Sequence, residues 1–209
     1  MRILTRIFHV NLTFSGIYMP ETFKRESKYG LTVLTTTDAG LLRYLNNVQK
    51  QVTNWLLSGN IQRLVVVVKG IDTMETLERW QFNVTVDDAA AAAASTGVSE
   101  NEAPNSNASA TNKTAAGGGK KSLKEIHNEI QAIIRQITAS VTFLPLLQEP
   151  CTFDLLVYTD KNVNVPEQWA DSDPCYILNS AEVKLRSFTT TVHKIDSMVA
   201  YKEADEWEL

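Results

Sequence analysis

The chain is poor in the residues from which most active sites are built. Two cysteines and three histidines are spread over 209 residues, and neither kind clusters. His9, His127 and His193 each stand without a cysteine or second histidine at ligand spacing. A zinc site needs about four convergent ligands, so no metal is expected. No Gly-x-Ser-x-Gly elbow occurs, and neither Cys151 nor Cys175 sits in a nucleophile motif. The stretch Gly117 to Ser122 (GGGKKS) fails as a phosphate-binding loop. Lys121 follows Lys120 where a hydroxyl residue is required, and Thr114 occupies the place of the first glycine. Asp160, Glu167, Asp171 and Asp173 read as a solvated acidic loop. No catalytic group and no cofactor is expected.

Long apolar runs are missing too. Nothing approaches the ~20 residues needed to cross a bilayer, so no membrane association is expected. Thr5, His9, Asn11 and Thr13 interrupt the apolar residues of Met1 to Ser15, unlike a signal peptide. With no export signal expected, the two cysteines read as free intracellular thiols. The four Asn-x-Ser/Thr tripeptides, beginning at Asn11, Asn83, Asn107 and Asn112, read as chance matches. The formal net charge is -4, which argues against a dedicated nucleic-acid binder.

What is present is one core's worth of patterned sequence, with 44% hydrophobic residues. Tyr29 to Thr36 reads as a short strand. Thr37 and Asp38 are N-cap candidates for a helix whose stripe is Leu41, Leu45, Val48, Val52 and Trp55, and Gly59 is placed to end it. Leu64 to Val68 is an apolar, β-favouring run that predicts a buried strand. Glu78 to Val86 alternates, with Trp80, Phe82, Val84 and Val86 on one face, and predicts a half-buried antiparallel strand. Trp80 itself reads as core.

From Asp87 to Lys121 the chain turns to alanine, serine, asparagine, threonine and glycine, with Val98 its sole large apolar residue. Such a stretch cannot offset its ordering entropy and reads as a disordered insertion within one domain, not a boundary between two. Ser122 to Glu125 has the capping-box pattern. Leu123, Ile126, Ile130, Ile133, Ile137 and Val141 form the next stripe, which Pro145 ends, with Arg135 and Gln136 lying off it. Thr152 to Tyr158 predicts a strand with Phe153, Leu155 and Val157 on one face. Two further β-favouring runs follow, Val183 to His193 and Ser197 to Lys202. Strands and helices interleave without regular alternation, which predicts an α+β fold of helices packed on an antiparallel sheet.

Longer blocks go further. Gly16-Ile17-Tyr18 with Pro20-Glu21, Lys28-Tyr29-Gly30-Leu31-Thr32 and Leu77-Glu78-Arg79-Trp80-Gln81-Phe82 occur in order. Ile134 through Pro145 (IRQITASVTFLP), Val165-Pro166-Glu167-Gln168-Trp169 and Leu185 through Lys194 (LRSFTTTVHK) follow. From Gly16 to Lys202, the insertion apart, the chain resembles the spindle-assembly-checkpoint HORMA-domain proteins of the mitotic-arrest-deficient-two family. The resemblance implies a non-enzymatic adaptor with two folded states. In the closed state a C-terminal safety belt, here residues 161–209, encircles a partner peptide that adds a strand to the sheet edge at Thr152 to Tyr158. In the open state the belt occupies that edge.

Implied partners are the mitotic-arrest-deficient-one scaffold, the co-activator of the anaphase-promoting complex, whose sequestration delays anaphase, and an AAA+ remodelling ATPase with its own HORMA adaptor. A self-dimer of open and closed copies is also implied, with Arg135, Gln136 and Phe143 at its interface. Read without the resemblance, Arg135 and Gln136 are solvated helix residues and Phe143 is core. Phe153, Leu155, Val157 and Trp169 are the candidate peptide-binding residues, and their alternative reading is plain core. Ser172, Ser180 and Ser197 are candidate phosphorylation sites in the belt region. Localisation follows as nucleus and cytoplasm, with the kinetochore in mitosis. The alternative function is a HORMA adaptor of another pathway, translesion polymerase or meiotic axis.

The sequence departs from the family at its start. Members begin with a long amphipathic helix, whereas Met1 to Ser15 is too short and wrongly patterned for one. Ile3, Leu4, Ile7 and Phe8 suggest a helical turn, but Phe8, Val10, Leu12 and Phe14 alternate like a strand. About five missing buried side chains at ~2 kcal/mol each compare with a whole stability of ~5–15 kcal/mol. The expectation is that this N-terminus is not the native one and that the chain as written folds poorly.

Overall fold

In a computed structural model, the described residues are 20–86, 122–140, 142–190 and 192–203. Met1 to Ser15 and the insertion at 87–121 lie outside them, so the expectations for both segments rest on sequence. After one 3-10 turn, Pro20–Thr22, the elements are β1 (Phe23–Lys28), β2 (Leu31–Thr36), α1 (Ala39–Leu57), β3 (Ile61–Gly70) and β4 (Thr76–Val86). Then come α2 (Leu123–Ser140), β5 (Cys151–Thr159), β6 (Ser180–Lys184), β7 (Phe188–Thr189) and β8 (His193–Lys202).

The expected strand at Tyr29 to Thr36 starts later and has a partner that the sequence reading missed. Tyr29 and Gly30 have φ of 50° and 68°, which makes them the two-residue turn of a hairpin joining β1 to β2. Its tip rests on α2. Gln131 Nε2 donates to the Tyr29 carbonyl at 3.1 Å, and the Tyr29 ring meets His127 edge-on at 5.2 Å.

Both long helices start as their sequences predict. Asp38 Oδ1 accepts the Leu41 amide at 2.6 Å, and Gly59 follows the end of α1 at φ 70°. Ser122 and Glu125 form a reciprocal box: the Ser122 amide donates to Glu125 Oε2 at 2.8 Å, and the Glu125 amide to Ser122 Oγ at 3.2 Å. The α1 stripe is wholly buried. The α2 stripe needs correction. Leu123 is 76% exposed because it sits in the first turn, beyond the reach of the sheet, and Ile134 is buried in its place. Val141 lies outside the described residues. The helix also ends at Ser140, before Pro145, where the amides of Phe143 and Leu144 both turn back to the Ser140 carbonyl.

Six strands form one antiparallel sheet in the order β5-β3-β4-β8-β6, with β7 pairing β8 beside β6. The expected run at Val183 to His193 is therefore split between β6 and β7, and β8 begins at His193. Leu64, Val66, Trp80, Phe82, Val84, Ile195 and Val199 face the helices and join their stripes in one core.

The far face is not wet. Val65 and Val67 are as buried as their neighbours, and Arg79 and Gln81 are 5% and 8% exposed. The expectation of a half-buried strand at Glu78 to Val86 is thus corrected. β4 is a central strand covered on both sides, and only Thr85 and Val86 at its end are exposed.

Because the α1 cap is a single side-chain acceptor, Asp38→Ala is expected to lower stability by about 1 kcal/mol. A urea unfolding midpoint that does not move would refute that role.

Candidate functional site

The sheet ends on one side at β5, and beyond β5 no further strand pairs among the described residues. Phe153, Leu155 and Val157 line its helix-facing side, each half-buried, as the alternation predicts. Above them runs α1, and two aromatic pairs mark the ends of the seam. Tyr44 meets Phe153 at 5.9 Å near the start of α1, and Trp55 meets Trp169 at 5.1 Å near its end, both edge-on. The four candidate peptide-binding residues therefore lie along a single margin.

The chain leaves β5 at Asp160, whose amide donates to the Asn60 carbonyl at 3.2 Å and whose carboxylate accepts from Gln62 Nε2 at 2.6 Å. It next forms structure at β6, the opposite end of the sheet. The twenty residues between must cross the sheet. At Trp169 the connection is on the helix side, against Trp55. By Pro174 it is on the far side, where Arg79 Nε donates to the Pro174 carbonyl at 3.2 Å and the guanidinium lies 4.9 Å from the Tyr176 ring. Having left β5 at Asp160, the connection thus changes from the helix side to the outer face between Trp169 and Pro174. The strand from which this connection departs, β5, pairs with no strand beyond β3 among the described residues.

One pair of opposite charges meets on the outer face. Lys69 Nζ donates to Asp154 at 2.9 Å across β3 and β5, and that hydrogen bond raises the Lys69 pKa against the opposing effect of burial, with a smaller contribution from Cys175. Both cysteines are free. Burial pushes the Cys151 thiol up, the wrong direction for a nucleophile.

Arg135, Gln136 and Phe143 fall at the end of α2. Arg135 is exposed and borders a groove of 610 Å³ between α2 and the β1–β2 hairpin, shared with Arg25, Leu31, Val33 and Ile134. Gln136 is not simply solvated, because its Oε1 accepts the Arg186 amide at 2.6 Å. Two turns earlier, Glu129 Oε2 accepts the Thr189 amide at 2.8 Å. Helix α2 thereby holds the connection between β6 and β8. Phe143 is 42% exposed, which corrects the core reading, and its ring lies 6.3 Å from Tyr201. Of the candidate phosphorylation sites, Ser172 is exposed and Ser180 half-buried. Ser197 is 5% exposed on the core face of β8, where no hydrogen-bond partner reaches its hydroxyl.

Sequence reasoning missed Tyr44, Arg79, Glu129 and Tyr176. Tyr44 carried a signal, an aromatic beside the α1 stripe. Arg79 carried none, since an arginine on the polar side of an alternating strand reads as solvated.

A HORMA domain model matches residues 2–193, nearly the whole chain. The mitotic spindle assembly checkpoint protein MAD2A of Dictyostelium discoideum is 54% identical over 191 residues, covering 91% of this chain and 83% of that protein. The Homo sapiens MAD2A is 51% identical over 90% and 80% respectively. The crystal structure of a mitotic checkpoint complex contains a chain that superposes with a TM-score of 0.80 at 37% identity, covering 97% of this chain and 96% of that one. The fold is that of a HORMA domain. The chain belongs to the MAD2 family of mitotic spindle assembly checkpoint proteins.

His193 opens β8 and supplies a pH signature of its pairing. Burial lowers its pKa from 6.5, opposed by its hydrogen bond to the backbone of Leu56. A depressed histidine is neutral in the folded state, so its contribution is present above the unfolded pKa and is lost as pH falls below about 6.5 towards the folded value. Urea midpoints at pH 7.5 and 5.5 are expected to differ less in His193→Gln than in the parent. An equal difference would show that the acid sensitivity lies elsewhere.

Proposed function

We propose that the chain is a non-enzymatic checkpoint adaptor that captures a partner peptide as an added strand on β5 and encloses it with residues 161–209. One observation carries the reading: β5 pairs with no strand beyond β3 among the described residues, and the connection that leaves it touches α1 at Trp169 and the outer face of the sheet at Pro174. An exposed edge offers a row of main-chain donors and acceptors, and Phe153, Leu155 and Val157 offer alternate side-chain contacts. With β8 paired to β4 and no strand beyond β5 among the described residues, the arrangement fits the closed state. The open state would move the C-terminal strands to the β5 edge.

The occupants follow from the family. They are the mitotic-arrest-deficient-one scaffold and the co-activator of the anaphase-promoting complex, whose sequestration delays anaphase at the kinetochore's signal. Likeness to a chain of a mitotic checkpoint complex supports that choice. The chain acts as one HORMA domain in nucleus and cytoplasm, with 87–121 as an insertion, and an AAA+ ATPase with its HORMA adaptor returns it to the open state. Arg135, Gln136 and Phe143 form the surface on which open and closed copies pair.

Deleting Met198 to Leu209 removes every residue with which β6 pairs. The truncated domain is expected to fold and to lose capture of a co-activator peptide in fluorescence anisotropy. Unchanged affinity would refute the belt. Moving a population from 1:99 to 99:1 takes ~5.5 kcal/mol, a scale that one lost strand can supply.

A second measurement separates pairing from capture. Arg135→Glu, which leaves the Gln136–Arg186 hydrogen bond in place, is expected to give a monomer by light scattering that still binds peptide, since reversing a charge within an interface is costly. A dimer like the parent's would show that the interface lies elsewhere.

A further inference from the structure

Arg79 places a guanidinium at the centre of a sheet. It stands on β4 between Val67 of β3 and Ala200 of β8, and is only 5% exposed. The surface around it includes Val65 and Val67, both fully buried. Taking a guanidinium out of water is unfavourable unless partners meet its donors. Four contacts do so here. Nη1 donates to Gln81 Oε1 at 2.7 Å and Nη2 to the Tyr158 hydroxyl at 3.5 Å. Nε donates to the Pro174 carbonyl, and the ring of Tyr176 covers the cation.

These partners divide into two kinds. Gln81 and Tyr158 belong to β4 and β5 and stay beside Arg79 wherever the connection lies. Pro174 and Tyr176 arrive only when residues 160–179 lie over the outer face. Tyr176 is 67% exposed, so burial does not hold its ring there. A cation beneath an aromatic face attracts it most strongly when little water reaches the cation.

We infer that Arg79 is the clasp of the belt, a positioning residue whose grip on Pro174 and Tyr176 sets how slowly a captured peptide is released. The inference rests on the capture reading above. The connection is fastened on each side of the β5 margin, at Trp55 on the helix side and at Arg79 on the other. A peptide strand enclosed between these points escapes sideways only when one of them lets go. The planar fork also fixes register, because it needs a carbonyl and an aromatic ring two residues apart, and Pro174 and Tyr176 supply them.

The test compares the full chain with Arg79→Lys, Tyr176→Leu and the double variant. Arg79→Lys keeps the charge and loses the fork, while Tyr176→Leu alters an exposed side chain and leaves the sheet intact. Two readouts are taken. One is release of a fluorescein-labelled co-activator peptide after a chase with unlabelled peptide. The other is amide hydrogen exchange at Cys175 to Leu178 without peptide. Each single variant is expected to speed both by about tenfold, with exchange in β3 and β4 unchanged and the double variant no faster than Arg79→Lys. Parental rates in both singles would overturn the inference, as would exchange rising equally through β3 and β4, which marks a purely structural arginine. If the parent fails to hold the labelled peptide, the capture reading falls, and the exchange measurement still decides whether Arg79 clasps the segment.

Discussion

A strand that is buried on both faces needs cover on both. Leu64 to Val68 of β3 are all between 0% and 1% exposed, and alternate side chains face the helices while the others face away from them. On the helix side the cover is regular: two amphipathic helices present stripes of leucine, valine, isoleucine and tryptophan. On the other side lie the flanking residues of β4 and β5 and a crossing stretch of chain without regular secondary structure. Each large apolar side chain kept from water there is worth ~1.5–3 kcal/mol, so the crossing stretch belongs to the domain's stability. Within it, the amides of Asp160, Val163 and Trp169 alone donate to other main-chain carbonyls among the described residues.

That combination suits an adaptor. Capture by strand addition asks for no catalytic group, only an edge with unmet main-chain donors and acceptors and side chains at alternate positions. An edge so exposed invites unwanted pairing. Here α1 overhangs it, Tyr44 and Trp55 of that helix contact Phe153 and Trp169, and the polypeptide wraps past it. The wrap has one origin in topology, because β5 and β6 are consecutive in sequence and sit at opposite ends of the sheet. Any chain with that order must pass across the sheet.

Helix α2 contributes more than a buried stripe. Glu129 and Gln136 accept main-chain amides of Thr189 and Arg186, groups that β6, β7 and β8 leave over where they meet. Residues on one helix therefore face solvent, as Arg135 does, or hold the C-terminal strands, as Gln136 does. A change at Gln136 disturbs the C-terminal arrangement, whereas a change at Arg135 touches the surface alone.

Local rules made much of this legible. Periodicity located both helices and the β3, β4 and β5 strands, and the capping residues at Asp38 and at Ser122 with Glu125 behave as their types dictate, because such contacts span only a few residues. Phe153, Leu155 and Val157 share a face for the same reason. The β1 strand escaped because its residues, FKRESK, are polar and gain their structure by pairing with β2. The burial of Arg79, the inward turn of Gln136 and the exposure of Phe143 escaped for another reason. Each depends on a segment far away in sequence, 95 residues for Arg79 and Pro174 and 50 for Gln136 and Arg186. The sequence by itself determined which segments become helix and strand and which family they compose. Only the tertiary structure decided which side of the sheet the C-terminal strands join and which polar residues are thereby buried, since both outcomes arise from contacts that no local pattern encodes.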